Sequence, residues 1–146
     1  MSNLRIDFYN HKGNWKVNQE LKDQIISLLN VSKGEIESSD VYFMKKSTTQ
    51  YATSNKKQLN IFFGASPGDA ELENYFLTTE KGTYAIEAMM YKSTDYATPL
   101  VDEKQQVIGF YSERYNELYV PFNIDELDAE IVNDILIYVL TKFKEL

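Results

Sequence analysis

Between Ile131 and Phe143 the chain is apolar on most sides of a helical projection, interrupted only by Asn133, Asp134, Thr141 and Lys142. A helix with so wide an apolar surface cannot stand alone in water. It needs a sheet on one side and further cover on another. The residues ahead of it read as its start, because Asn123 and Glu126 have the spacing of a capping box. Asp125, Glu126, Asp128 and Glu130 load the first turns with the negative charge that the helix dipole favours, and Lys142 and Lys144 complement the other end. The sequence therefore predicts a long C-terminal helix and a sheet for it to lie on.

The sheet is legible upstream. Leu4 to Tyr9 alternates strictly, with Leu4, Ile6 and Phe8 on one side and Arg5, Asp7 and Tyr9 on the other, as a half-buried strand requires. Asn18 is placed to cap a surface helix whose apolar positions are Leu21, Ile25, Leu28 and Leu29, ending near Asn30. Val41 to Met44 and Leu59 to Phe63 read as apolar strands, and the polar stretch Lys45 to Lys57 between them is either a loop or a solvated edge hairpin. Ser66-Pro67-Gly68-Asp69 forms a turn.

Two hairpins follow. The first pairs Tyr75 to Thr79 with Thr83 to Tyr91 across Glu80-Lys81-Gly82, where Gly82 supplies a positive φ; a helix from Ala70 to Thr79 is the competing reading. The second pairs Val107 to Ser112 with Glu117 to Phe122 around Glu113-Arg114-Tyr115-Asn116, and a loop from Ser93 to Gln105 joins the two. The expected architecture is α+β, in the order β-α-β-β-β-β-β-β-α. It comprises an antiparallel sheet of about six to seven strands with the N-terminal helix and the long C-terminal helix packed on one face. Residues 1–146 are expected to form one domain, since 146 residues with a hydrophobic fraction of 43% fill a single core. Tyr75, Tyr91, Tyr111 and Tyr119 fall on strands whose two alternating sets both carry apolar residues, so the outer sheet face is not plain solvent.

Composition narrows the chemistry. The chain has no cysteine, which removes thiol nucleophiles, zinc–thiolate sites and disulfides. Met1 to Asn10 lacks the apolar core of a signal peptide, and the expected location is cytoplasmic. A single histidine, His11, lies in a polar turn, so Ser-His-Asp catalysis and histidine-rich metal sites have nothing to rest on. No glycine pattern suits a phosphate loop. No cofactor and no metal are expected. A magnesium-dependent enzyme would have to be built from carboxylates, Asp69 or Asp102 foremost. Asp102-Glu103-Lys104 has the Asp-x-Lys spacing of metal-dependent nucleases, but an acidic chain suits DNA cleavage poorly.

With 22 Asp and Glu against 15 Lys and Arg the net charge is −7, which disfavours nucleic acid and membrane surfaces and favours a basic protein partner. Eleven tyrosines supply amphipathic contact surface. The densest combination is Tyr111, Glu113, Tyr115 and Glu117 at the second hairpin tip, with Asp95, Tyr96, Asp102 and Glu103 in the preceding loop. These eight residues are the candidate partner-binding site. The reading that follows is a non-enzymatic inhibitor of the immunity-protein or phage-inhibitor type, blocking a basic partner such as a nuclease toxin or host nuclease. An acidic dimeric secretion chaperone or adaptor and a small magnesium-dependent carboxylate enzyme are the alternatives.

Overall fold

The computed structural model describes residues 4–8, 19–29, 59–93, 97–124 and 127–145. Its elements are β1 (Leu4–Phe8), α1 (Gln19–Leu29), β2 (Leu59–Phe63), β3 (Ala70–Thr79), β4 (Gly82–Tyr91), β5 (Thr98–Val101), β6 (Val107–Ser112), β7 (Glu117–Val120) and α2 (Ala129–Lys144). The fold is α+β, as expected. The cap at Asn18, the strand over Val41 to Met44, the stretch Lys45 to Lys57 and His11 lie outside the described residues.

The strands do not form one antiparallel sheet. Five of them make a mixed sheet in the order β1-β2-β7-β6-β5, and β3 with β4 makes a separate two-stranded sheet. In this sheet β1 runs parallel to β2 and β2 parallel to β7, while β5-β6 and β6-β7 are antiparallel. The reason lies in β2, whose residues Leu59-Asn60-Ile61-Phe62-Phe63 are all buried. A strand that hides both faces can sit at the centre of a sheet between parallel neighbours, whereas a half-solvated hairpin strand cannot.

Two further expectations are corrected. The segment Ser93 to Gln105 is not all loop, because Thr98–Val101 forms the edge strand β5 and seats Leu100 in the core. Pro99 is tolerated there because an edge strand has an amide position that owes nothing to the ladder. The C-terminal helix begins at Ala129, after Asp128, not at Asn123. Asn123 is used elsewhere: its amide donates to the Glu87 carbonyl (2.8 Å) and its Nδ2 to Glu87 Oε1 (3.2 Å). It ties the chain to β4 instead of capping a helix. Glu126 and Asp125 lie outside the described residues.

The first hairpin matches its predicted strands and extends them. β3 and β4 pair without a register shift from Ala70↔Tyr91 to Thr79↔Gly82, which rules out a helix over Ala70 to Thr79 and leaves Glu80-Lys81 as a two-residue connection. Gly82 has φ 154°, a backbone conformation open to glycine and awkward for other residues.

The principal core lies between the mixed sheet and the helices. α2 contributes Val132, Ile135, Leu136, Val139 and Leu140, α1 contributes Leu21 and Ile25, and the sheet contributes Ile61, Phe63, Ile108, Leu118 and Val120. The hairpin closes one end of this core with Leu77, Ile86 and Ala88. The opposite face of the sheet is buried too, around Phe62, Phe110 and Tyr119. Phe62 stacks on Tyr119 with centroids 5.2 Å apart, and Tyr91 meets Phe110 edge-on at 5.6 Å. Phe62, Phe110 and Tyr119 on this second face are therefore covered within the chain itself.

Candidate functional site

The β6-β7 hairpin carries four of the eight residues that the sequence marks as partner-binding, Tyr111, Glu113, Tyr115 and Glu117. Asn116 takes φ 53°, which asparagine tolerates, and its Oδ1 accepts the Tyr111 hydroxyl at 2.8 Å. The Tyr111 ring also meets Phe143 of α2 edge-on at 5.0 Å. Glu113 and Arg114 are exposed, Tyr115 is half-buried, and the Arg114 guanidinium sits 5.2 Å from the Tyr115 ring centroid. Glu117 is only 1% exposed and accepts the Tyr119 hydroxyl at 2.6 Å on the covered face of the sheet. Of the four hairpin residues Glu113 is exposed, Tyr111 and Tyr115 are half-buried and Glu117 is buried, and Arg114 offsets the charge beside Tyr115.

Asp102 and Glu103 line a different hollow, and Asp95 and Tyr96 lie outside the described residues. Asp102 is 5% exposed. Its Oδ1 accepts the amides of Lys104 (2.9 Å) and Gln106 (3.0 Å), which organises the β5-β6 turn, with Gln105 at φ 64°. Glu103 is exposed and pairs with Lys142 of α2. That hydrogen bond holds the Glu103 carboxyl below the usual carboxylate range and pushes the Lys142 ammonium up.

A groove of about 560 Å³ runs from this turn along α2 to the hairpin tip, and Tyr138 and Thr79 are among its walls. Within it Asp134 Oδ2 accepts two hydroxyls, from Thr79 at 2.6 Å and from Tyr84 at 2.7 Å. Asp102, Glu103 and Asp134 thus all have partners supplied by the chain, and their arrangement joins α2, β5-β6 and the hairpin. Among the described residues no three His, Cys, Asp or Glu side chains are grouped to hold a metal ion. Among the same residues no helix is long and apolar enough to cross a membrane.

The tyrosines around these contacts give the fold an alkaline limit. Burial, reinforced by Asp102 and Glu73, raises the Tyr75 phenol. The hydrogen bond to Asp134 raises Tyr84, and burial raises Tyr111 and Tyr138. All four start from an ordinary value of 10.0. The native state holds these protons more tightly than the unfolded chain. Their contribution to stability is therefore complete below pH 10.0 and is lost as pH rises through the raised native values. Denaturation midpoints measured alongside phenolate absorbance are expected to fall from about pH 10 upward, with part of the absorbance appearing only as the protein unfolds.

The surface that sequence reasoning did not select is the outward side of the β3-β4 hairpin. Leu72 and Phe76 are 63% and 64% exposed there. Register sets Met89 beside Leu72, Glu87 beside Asn74 and Ala85 beside Phe76. Glu87 is exposed on the same face; Glu71 and Glu73 are exposed on the other, with Glu71 3.4 Å from Lys92. The signal was present in the sequence, since β3 carries apolar residues on both alternating sets, Leu72 and Phe76 on one and Tyr75 and Leu77 on the other. The inner set is seated: Leu77 is buried, and the Tyr75 hydroxyl donates to the Val107 carbonyl. The outer set meets solvent. No protein-family model matches the chain, and no curated protein is significantly similar to it in sequence.

Proposed function

We propose that this chain is a non-enzymatic, cytoplasmic protein-binding inhibitor of the immunity-protein or phage-inhibitor type, which blocks a basic partner such as a nuclease toxin or a host nuclease. The observation that carries this reading is the exposure of Leu72 and Phe76 on a hairpin face that also carries Glu87, with Glu71 and Glu73 exposed on the other face of the same strand. Large apolar side chains held out to solvent within a charged rim are a feature of interaction surfaces. Burying the two against a partner is worth about 1.5–3 kcal/mol each. The carboxylates, on a chain of net charge −7, steer a basic partner into encounter and discriminate against acidic ones. Glu113 and Tyr115 offer a smaller second contact.

A dimeric secretion chaperone or adaptor would use the aromatic second face of the sheet, and Phe62, Phe110 and Tyr119 are buried there within the chain. A magnesium enzyme built on Asp102 would have to disrupt the turn that its carboxylate organises. The test is capture by the tagged chain from host lysate at low and high salt, followed by assay of the captured protein's nucleic-acid cleavage. A basic protein released by salt and inhibited by stoichiometric addition of the pure chain is the expected result. Capture of no basic protein, or undiminished cleavage, would contradict it.

A further inference from the structure

Among the described residues the hairpin presents an open strand edge as well as an apolar face. The Lys92 amide donates to the Asp69 carbonyl at 3.1 Å, so in the continuing register the hydrogen-bonded pairs of the hairpin fall on the odd positions of β3. The even positions of β3, and their β4 partners, then aim their amides and carbonyls away from the hairpin. On β4 these outward groups are used: the Met89 amide donates to the Pro121 carbonyl (2.9 Å), and the Glu87 carbonyl accepts the Asn123 amide (2.8 Å). On β3 the matching outward groups belong to Leu72, Asn74 and Phe76. Among the described residues no strand lies beside that edge. Residues 71–74 are all exposed, so neither face of the strand is covered there.

Long edges of this kind are commonly guarded by lysine, proline or a bulge. Ala70–Thr79 has no lysine, no proline and no register shift. Its charges are Glu71 and Glu73, which repel a second copy of an acidic chain and attract a basic strand. Resting on the inhibitor reading above, we infer that the partner is held by strand addition: an extended segment alternating Lys or Arg with apolar residues pairs with the edge of β3. Its backbone bonds to Leu72, Asn74 and Phe76. Its apolar side chains lie beside Leu72 and Phe76, and its cations meet Glu71 and Glu73 on the other face. Main-chain bonding supplies affinity and the alternate side chains supply selectivity.

The probe is a short synthetic peptide alternating arginine and valine, compared with one of identical composition in which the arginines are clustered. The alternating peptide is expected to bind and to slow amide exchange at Leu72, Asn74 and Phe76, while the clustered one does neither. Asn74→Pro removes only an outward amide, and the hairpin's own ladder leaves it free to do so. It is expected to weaken binding by about tenfold or more. Joint Glu71→Lys and Glu73→Lys replacement leaves the backbone untouched and is expected to transfer binding to a peptide alternating glutamate and valine. Equal binding of the two arginine peptides, or full binding by Asn74→Pro, would overturn strand addition. Full binding by Asn74→Pro with loss in Phe76→Ser overturns the edge contact and leaves the apolar face as the docking surface. Full binding by both variants overturns the two together.

Discussion

Replacing Phe122 with alanine is expected to destabilise the protein by about 3–5 kcal/mol, the range for emptying a fully buried phenylalanine site. Phe122 has no exposed surface. Its backbone forms an isolated bridge with Ala88 of β4, and its ring packs at a tilt on Tyr75 of β3, with centroids 5.3 Å apart. The residue therefore does two things at once, filling the core and fastening the hairpin to the body of the fold. Denaturant titration should show a lower midpoint with an unchanged slope, because the surface exposed on unfolding is nearly the same. Phe122→Leu, which leaves a smaller void, should retain most of the stability. A loss below about 1 kcal/mol for the alanine variant would mean that the hairpin is seated some other way.

The second large effect is expected at Asp134. Its Oδ2 receives hydroxyls from both ends of the hairpin connection, Thr79 of β3 and Tyr84 of β4. Asp134→Ala leaves both donors without their acceptor. Each hydrogen bond to a charged group is worth about 1.5–3 kcal/mol when sheltered, and partial exposure of Asp134 and Tyr84 brings the combined cost to about 2–3 kcal/mol. A spectroscopic signature separates this account from a general packing defect. The bond to Asp134 is the leading cause of the raised Tyr84 phenol, so Tyr84 should titrate nearer its ordinary value of 10.0 in the variant. Asp134→Asn keeps a neutral acceptor and should lose less stability. An alanine variant with unchanged unfolding and an unchanged Tyr84 titration would show that the hairpin tip is not anchored to α2.

These two positions mark how far the sequence could be read. The final helix, the first strand and both hairpins follow from local periodicity, because the period of the apolar residues and the turn residues between them are local properties. What failed is what distant partners decide. Leu59 to Phe63 reads as apolar on both faces, but only its placement between β1 and β7 makes the pairing parallel. Asn123 has the composition of a helix cap and is taken instead by Glu87, thirty-six residues earlier in the chain. Thr98–Val101 is short and contains Pro99, which lowers its strand signal although β6 gives it a partner.

The candidate site was legible in part. Glu117 lies two positions from Tyr119, and the period of a strand places both on one face. That alternation already pointed Glu117 toward the covered side, where it accepts the Tyr119 hydroxyl. In sequence Asp102 is an acidic residue of a loop, and its role in the turn depends on the amides of Lys104 and Gln106. The outward exposure of Leu72 and Phe76 could not be read from alternation alone, because β3 is apolar on both sides and only the tertiary fold decides which side is covered.

The most direct test of the account is the affinity of the captured basic partner for three forms of the chain: the unaltered protein, the Leu72→Ser/Phe76→Ser double variant, and the Glu113→Ala/Tyr115→Ala double variant. All of these substitutions fall on exposed or half-buried side chains and should leave unfolding nearly unchanged. The hairpin variant is expected to lose about a hundredfold or more in affinity, and the turn variant about tenfold or less. Undiminished affinity in the hairpin variant, with the protein still folded, would contradict the claim that this face is where the partner binds.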